Sequence, residues 1–122
     1  MQQAMNRYYQ TQIMTATPEE LTLMLYNGCI RFLKQTEASM NNKNFSEKST
    51  FISKALDILD ELQVTLDMKY EISSQLSSLY EYFKERLTYA SIHMNTDVLR
   101  EVITMMEELR DTWQEAIKLV KQ

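Results

Sequence analysis

The hydrophobic side chains of this chain recur at steps of three and four residues, the spacing of one face of an α-helix, in four separate stretches. Short polar segments rich in asparagine, aspartate and lysine interrupt the pattern and predict turns. The predicted helices lie at about residues 18–40, 45–66, 71–94 and 97–120. Helices of similar length joined by short turns predict an all-α fold, an antiparallel up-down four-helix bundle that carries an N-terminal arm.

The start of the first helix has a clear sequence signal. Thr17 can accept a hydrogen bond from a free amide of the first turn, and Glu20 occupies the capping-box position three residues later. Pro18 lies at the first helical position, where its missing N–H costs nothing. Thr96 is expected to cap the last helix in the same way. Residues 17–122 are therefore predicted to form a single helical bundle domain.

Residues 1–16 precede that signal and show no helical period over a useful length. We expect them to form an arm or a short helix. Because the segment is polar but carries several large apolar side chains, we predict that it docks on the body of the protein, or on a partner, through Tyr8 and Ile13.

The first helix is apolar over an arc of roughly 260°, whereas the last helix has an apolar arc of roughly 160°. A helix in a four-helix bundle needs to bury only one side, so the first helix has apolar surface left over. The sequence therefore predicts an exposed groove or strip on this helix. Its residues are Leu23, Tyr26, Ile30 and Leu33.

The third and fourth helices are predicted to place regular stripes in the core. The stripe of the third helix runs from Ile72 to Ala90, and that of the fourth helix runs from Leu99 through Trp113 and Ala116 to Val120. Two tyrosines of the third helix, Tyr82 and Tyr89, lie off its stripe. The pattern is equally consistent with these two side chains packing at a helix boundary and with their forming part of a binding surface.

Composition supports the helical interpretation and narrows the function. The chain contains only one glycine and one proline, too few for a fold rich in turns, and a formal net charge of −4 argues against a nucleic-acid binder. A single cysteine cannot form an internal disulfide and fits a reducing compartment. No apolar run is long enough for stable membrane insertion and no signal sequence is recognisable, so a cytoplasmic location is expected.

No arrangement of residues predicts catalysis, a cofactor or a metal site. A di-iron bundle needs Glu-x-x-His pairs, and the only histidine, His93, lies near a predicted helix end with no glutamate three residues before it. Cys29 lies on an apolar face without a histidine to activate it, which is typical of a small core residue. We therefore expect a protein that is not an enzyme and binds no cofactor or metal.

The chain resembles the FliS family, the flagellin-specific export chaperones of flagellated bacteria. The residues that carry the resemblance are Tyr8, Ile13, 15–28, 65–71, 79–82, Arg86, Leu87, Ala90, Glu101, Val102 and 109–113. Small departures occur at Asn27, where many members have aspartate, and at Glu85, where a second arginine is common.

The resemblance implies a cytosolic export chaperone that binds the disordered C-terminal segment of flagellin, prevents premature polymerisation and delivers it to the flagellar type III export apparatus. It further implies a component of the export gate as a second partner, and an N-terminal segment that occupies part of the client site and moves away on binding. Tyr8 and Ile13 are carried over as the anchors of that segment.

The surface that would hold flagellin is inferred from the residue pattern. Its proposed members are Leu23, Tyr26, Ile30, Leu33, Tyr82 and Tyr89. Nine methionines suit such an adaptable surface, although they equally suit gap-filling in a core. We expect a monomer or weak dimer when the chain is free. A homo-oligomeric structural or adaptor bundle is the alternative, and a cofactor or phosphotransfer bundle is a third hypothesis.

Overall fold

The computed structural model describes residue 10 and residues 14–121, and within these residues it contains helices and no strand. The predicted all-α fold is confirmed, and every helix begins and ends within two residues of its predicted position. The four helices are α1 (Pro18–Asn41), α2 (Phe45–Val64), α3 (Glu71–His93) and α4 (Thr96–Lys121). Most of the predicted arm lies outside the described residues, and its bounds stay a prediction.

Side-chain caps define the starts of the first two helices, as the sequence predicts for Thr17. The Thr17 hydroxyl accepts a hydrogen bond from the backbone N–H of Glu20 at 3.1 Å. The Asn44 carboxamide oxygen accepts one from the N–H of Glu47 at 3.2 Å. Each bond satisfies an amide of the first turn that has no partner inside the helix.

The turn between α3 and α4 corrects the predicted cap at Thr96. Asn95 is the capping residue, because its side-chain oxygen accepts from the N–H of Val98 at 3.0 Å, while Thr96 is already helical. Asparagine is at least as good an N-cap as threonine. Met94 takes a left-handed conformation with φ of 51°, and the N–H of Asn95 donates to the carbonyl of Ala90 at 2.9 Å. The chain reverses within these few residues.

The helices form a ring in which each helix packs against two others. Helix α1 packs most extensively against α2 and also against α4, while α3 packs against the same two helices from the opposite side. The short turns make successive helices antiparallel, so the topology is up-down-up-down. The core contains side chains from all four helices, including Leu33, Leu59, Leu87 and Ile103.

Helices α1 and α2 approach each other closely at Gly28, the only glycine of the chain. A Cβ atom built on Gly28 would lie 3.4 Å from Cδ1 of Ile58. At the next residue of α1, the buried thiol of Cys29 lies 3.7 Å from the carbonyl oxygen of Ala55. Small side chains therefore bring these two helices together in the middle of the bundle.

We predict that Gly28→Ala raises the free energy of unfolding by up to about 1 kcal/mol, because alanine is a better helix former and the nearest atom is the mobile end of Ile58. Gly28→Leu is the matched control and lowers stability, since a long side chain overpacks the contact. Urea denaturation of both variants provides the measurement. Equal destabilisation by alanine and leucine would show that the contact tolerates no side chain at all.

Candidate docking groove

A groove of about 240 Å³ opens at one end of the bundle, where α1 and α3 begin and α2 and α4 end. We call it the end groove. All four helices contribute to its lining, which is mainly apolar. Its principal residues are Thr22, Tyr26, Leu62, Leu66, Leu76, Tyr80 and Trp113.

Three aromatic side chains from three helices form the floor of the end groove. The hydroxyl groups of Tyr26 and Tyr80 lie 2.6 Å apart in a buried hydrogen bond. Trp113 packs its ring edge-on against Tyr26, with 6.4 Å between ring centroids, and its indole N–H donates to the carbonyl of Glu19 at 3.0 Å. The polar atoms of this floor are thus satisfied within the protein, and Trp113, which is half-buried above the buried rings of Tyr26 and Tyr80, offers apolar ring surface to an occupant.

Exposed apolar side chains surround the groove on the connection between α2 and α3. Met68, Tyr70 and Ile72 are 61%, 63% and 58% exposed. The prediction that Ile72 lies in the core is therefore wrong. Ile72 belongs to the first turn of α3, beyond the end of α2, so the helix that would cover it has already stopped.

The last turns of α4 add further exposed apolar surface at the same end. Ala116, Leu119 and Val120 are exposed, which corrects the predicted core positions of Ala116 and Val120. The reason is length: α4 has 26 residues and α2 has 20, or about 39 Å against about 30 Å. The stripe continues in sequence past the point where neighbouring helices can cover it.

The exposed strip predicted on α1 is wrong for three of its four members. Tyr26, Ile30 and Leu33 are buried core residues, and Leu23 is half-buried. Helix α1 packs on two neighbours and also reaches α3 across the core through the hydroxyl of Tyr26. Its wide apolar arc is used inside the bundle, although Tyr26 still forms part of the groove floor.

The two tyrosines that lie off the core stripe of α3 are both at the surface. Tyr82 is 42% exposed and Tyr89 is 43% exposed. The ring of Tyr89 lies 4.3 Å from that of His93, and the Arg86 guanidinium lies over it at 5.3 Å. Tyr8 and Ile13, the predicted anchors of the arm, lie outside the described residues.

Sequence reasoning missed the end groove because its floor joins residues that are far apart in the chain. Trp113 was predicted as one more member of a core stripe, yet it is half-buried and lines the groove. The available signal was that the single tryptophan falls near the end of the last helix, where a bundle core thins out.

The ionisable groups of the described residues do not suggest catalysis. Burial raises the pKa of the Cys29 thiol from 9.0 to about 12, so the reactive thiolate is disfavoured. No cluster of three or more His, Cys, Asp or Glu side chains among the described residues could hold a metal ion. Within the same part of the chain, no helix is long and apolar enough to cross a membrane. The arrangement is suited to binding the apolar face of a polypeptide.

The structure is thus that of a helical bundle protein with a candidate docking groove at one end. A family model described as "Flagellar protein FliS" matches residues 1–120, almost the whole chain. This chain belongs to the FliS family of flagellar secretion chaperones.

Several relatives with the printed name "Flagellar secretion chaperone FliS" are similar over most of their length. The Bacillus subtilis (strain 168) protein is 39% identical over 111 residues, covering 91% of this chain and 84% of the relative. The Escherichia coli (strain K12) protein is 30% identical over 111 residues, covering 88% and 82%. These relatives are named chaperones and not enzymes.

The architecture also matches a solved structure, "Crystal structure of flagellar chaperone from bacteria". The TM-score is 0.77 at 23% identity, and the match covers 96% of this chain and 97% of that one. This likeness supports the helical bundle.

We predict that the protein loses stability above about pH 9. Burial, and secondarily the bond to Tyr80, raise the pKa of Tyr26 well above 10.0, and burial raises the pKa of Tyr80. The unfolded chain releases these protons at ordinary pKa values while the folded chain still holds them, so rising pH favours unfolding. Each group contributes a slope of at most about 1.4 kcal/mol per pH unit.

Urea denaturation between pH 7 and pH 11 measures this slope. The double variant Tyr26→Phe, Tyr80→Phe removes both titrating hydroxyls and should show a shallower loss than the wild-type protein. Equal alkaline slopes in the two proteins would contradict the assignment.

Proposed function

We propose that this protein binds the disordered C-terminal segment of flagellin in the cytoplasm, prevents its premature polymerisation, and delivers it to the flagellar type III export apparatus without catalysing a reaction. The relatives' printed names support a chaperone in flagellar secretion. The observation that carries the proposal is the apolar end groove with its exposed apolar rim. A monomeric soluble domain rarely leaves a continuous apolar surface of this kind without a partner.

The end groove suits the apolar face of a client helix. Binding of the helix-in-groove kind needs apolar pockets at helical spacing and little backbone hydrogen bonding, because the client helix satisfies its own amides. Trp113, supported by the buried rings of Tyr26 and Tyr80, provides a rigid aromatic surface, while Met68 on the rim provides an adaptable side chain. Ordering a disordered client costs several kcal/mol, so the contact surface extends beyond the groove.

The N-terminal arm is proposed to cover this surface until the client arrives. Helix α1 begins at the groove end of the bundle, and the proposed arm is the segment that precedes it in the sequence. Tyr8 and Ile13 are the proposed anchors. Because these anchors must be displaced, the apparent affinity for the client is the intrinsic affinity multiplied by the fraction of molecules in which the arm is open.

Delivery requires a second partner, which we propose is a component of the flagellar export gate. It would meet the chaperone in the cytoplasm, with no nucleic acid involved and no stable membrane insertion. In the absence of client the protein is proposed to be a monomer or weak dimer.

The binding proposal predicts a saturable one-to-one complex in calorimetric titration of the full chain with the C-terminal segment of flagellin from its own organism. Burial of apolar surface should give a negative heat-capacity change, and circular dichroism should show helicity above the sum of the parts. A peptide with the same composition in scrambled order is the control. Absence of heat and of added helicity, with a self-associating chain, would instead support a homo-oligomeric adaptor bundle.

The arm proposal predicts that deletion of residues 1–14 leaves helical content unchanged but increases binding of an apolar dye. Trp113 emission should shift to the red, because this tryptophan lines the groove that the arm would cover. The double variant Tyr8→Ser, Ile13→Ser should behave like the deletion, whereas Gln10→Ser, which changes an exposed polar side chain, should not. Unchanged dye binding and emission in the deletion would show that the arm does not cover the groove.

A further inference from the structure

The seam between α3 and α4, meaning the interface between these neighbouring helices, lacks the polar side-chain contacts that two of the other seams contain among the described residues. Helices α1 and α4 are joined by Lys34 with Glu107 at 3.2 Å and by Arg110 with Asn27 at 2.9 Å. Helices α2 and α3 are joined across their own seam by polar side chains, including Lys84 with Asp60 at 2.9 Å. Among the described residues, no hydrogen bond or ion pair joins a side chain of α3 to α4. Apolar packing alone holds this seam.

An aromatic face of α3 runs beside this seam. Tyr82, Arg86 and Tyr89 follow a spacing of four and three residues, so they lie on one face of the helix. The α3 residues that contact α2, Ser77 and Lys84, lie on the opposite side of the helix. The face with the two tyrosines is therefore turned away from α2, towards α4 and solvent.

Helix α4 contributes to the same surface from across the seam. Met105 is 36% exposed, and it lies on the side of α4 away from the residues that bond to α1. Because the two helices are antiparallel and meet at the turn 94–95, Met105 lies at about the level of residue 84 of α3. We call Tyr82, Arg86, Tyr89 and Met105 the α3–α4 strip.

Arg86 is the unusual member of the α3–α4 strip. Its Nε atom is buried and has no hydrogen-bond partner, and the side chain forms no ion pair among the described residues. The Arg86 guanidinium instead lies over the ring of Tyr89, 5.3 Å from its centroid. A buried donor without an acceptor is costly, and arginine binds a carboxylate best through two parallel N–H bonds. To pair with a client carboxylate through Nε and one terminal nitrogen, the guanidinium would have to turn so that the buried Nε faces the surface.

The strip also continues to the end groove. Ile72 and Leu79 lie on the same side of α3 as the strip, and Ile72 borders the groove. From Ile72 to Tyr89 is 17 residues, or about 26 Å of helix. A client helix of about five turns that starts at the groove would reach Tyr89.

We propose that the α3–α4 strip binds an amphipathic helix of the flagellin segment, with apolar client side chains between Tyr82 and Tyr89 and a client aspartate or glutamate paired with Arg86. This proposal rests on the proposed function and assigns the partner chemistry at one part of the surface. The unpaired charge makes Arg86 a specificity residue, since a client without the acid leaves the guanidinium covered and unsatisfied.

Calorimetric titration of full-length variants with the flagellin C-terminal peptide tests the strip. Arg86→Gln should weaken binding about ten-fold, and Arg86→Lys should weaken it less, because lysine keeps the charge but loses the paired bonds. Arg31→Gln is the matched control: Arg31 also lies over an aromatic ring, Phe32, at 5.2 Å, but on α1, and its loss should leave affinity unchanged. Tyr82→Ser, at an exposed position, should also weaken binding.

Amide substitutions of each client aspartate and glutamate complete the test as a double-mutant cycle. One of them should weaken binding to the wild-type protein and have no further effect on Arg86→Gln. If the wild-type protein binds the peptide and Arg86→Gln binds it with the same affinity, the proposal for the α3–α4 strip is overturned and the proposed function stands. The same holds if no client acid is coupled to Arg86. No binding by the wild-type chain would overturn both.

Discussion

The hydrogen bond between the buried hydroxyls of Tyr26 and Tyr80 stabilises the groove end of the bundle. It joins α1 to α3 across the core and satisfies two polar atoms that burial would otherwise penalise. Because helix separation depends on the side chains at the contact, two tyrosines and Trp113 keep the helices apart at this level. One turn further into the bundle, Cys29 and Ala55 allow close approach. The end groove lies at the level of the larger side chains.

Apolar side chains in this protein thus occupy two kinds of position. One set fills a continuous core, and another remains at the surface on the groove rim, on the last turns of α4 and beside the α3–α4 seam. Stability would favour covering the second set. These side chains nevertheless remain exposed at one end of the bundle and along one seam, which is the physical basis for proposing a client that covers them. Such a client is in keeping with the flagellar secretion chaperones of the FliS family.

The sequence was sufficient for the fold because each helix carries local signals, such as the Thr17 cap and the strict stripe around Leu99 and Val102. It was insufficient for the surface. Periodicity measures how wide an apolar arc is but not how many neighbours cover it, so Tyr26, Ile30 and Leu33 were placed outside. The apolar periodicity of a helix also continues past the end of its neighbour, so the exposed Val120 is wrongly predicted to lie in the core. The exposure of Tyr82 and Tyr89 fits their positions off the core stripe, while the groove required contacts between distant helices.

The methionine methyl groups are probes of the proposed docking surface. Methyl spectra of protein labelled at its methionine methyl groups, recorded with and without the flagellin C-terminal segment, report on each part of the surface separately. We predict that the signals of Met68 on the groove rim and Met105 on the α3–α4 strip shift on binding, while that of Met40, buried at the other end of α1, does not. Binding that leaves Met68 and Met105 unperturbed would contradict the claim that these uncovered apolar side chains form the docking surface.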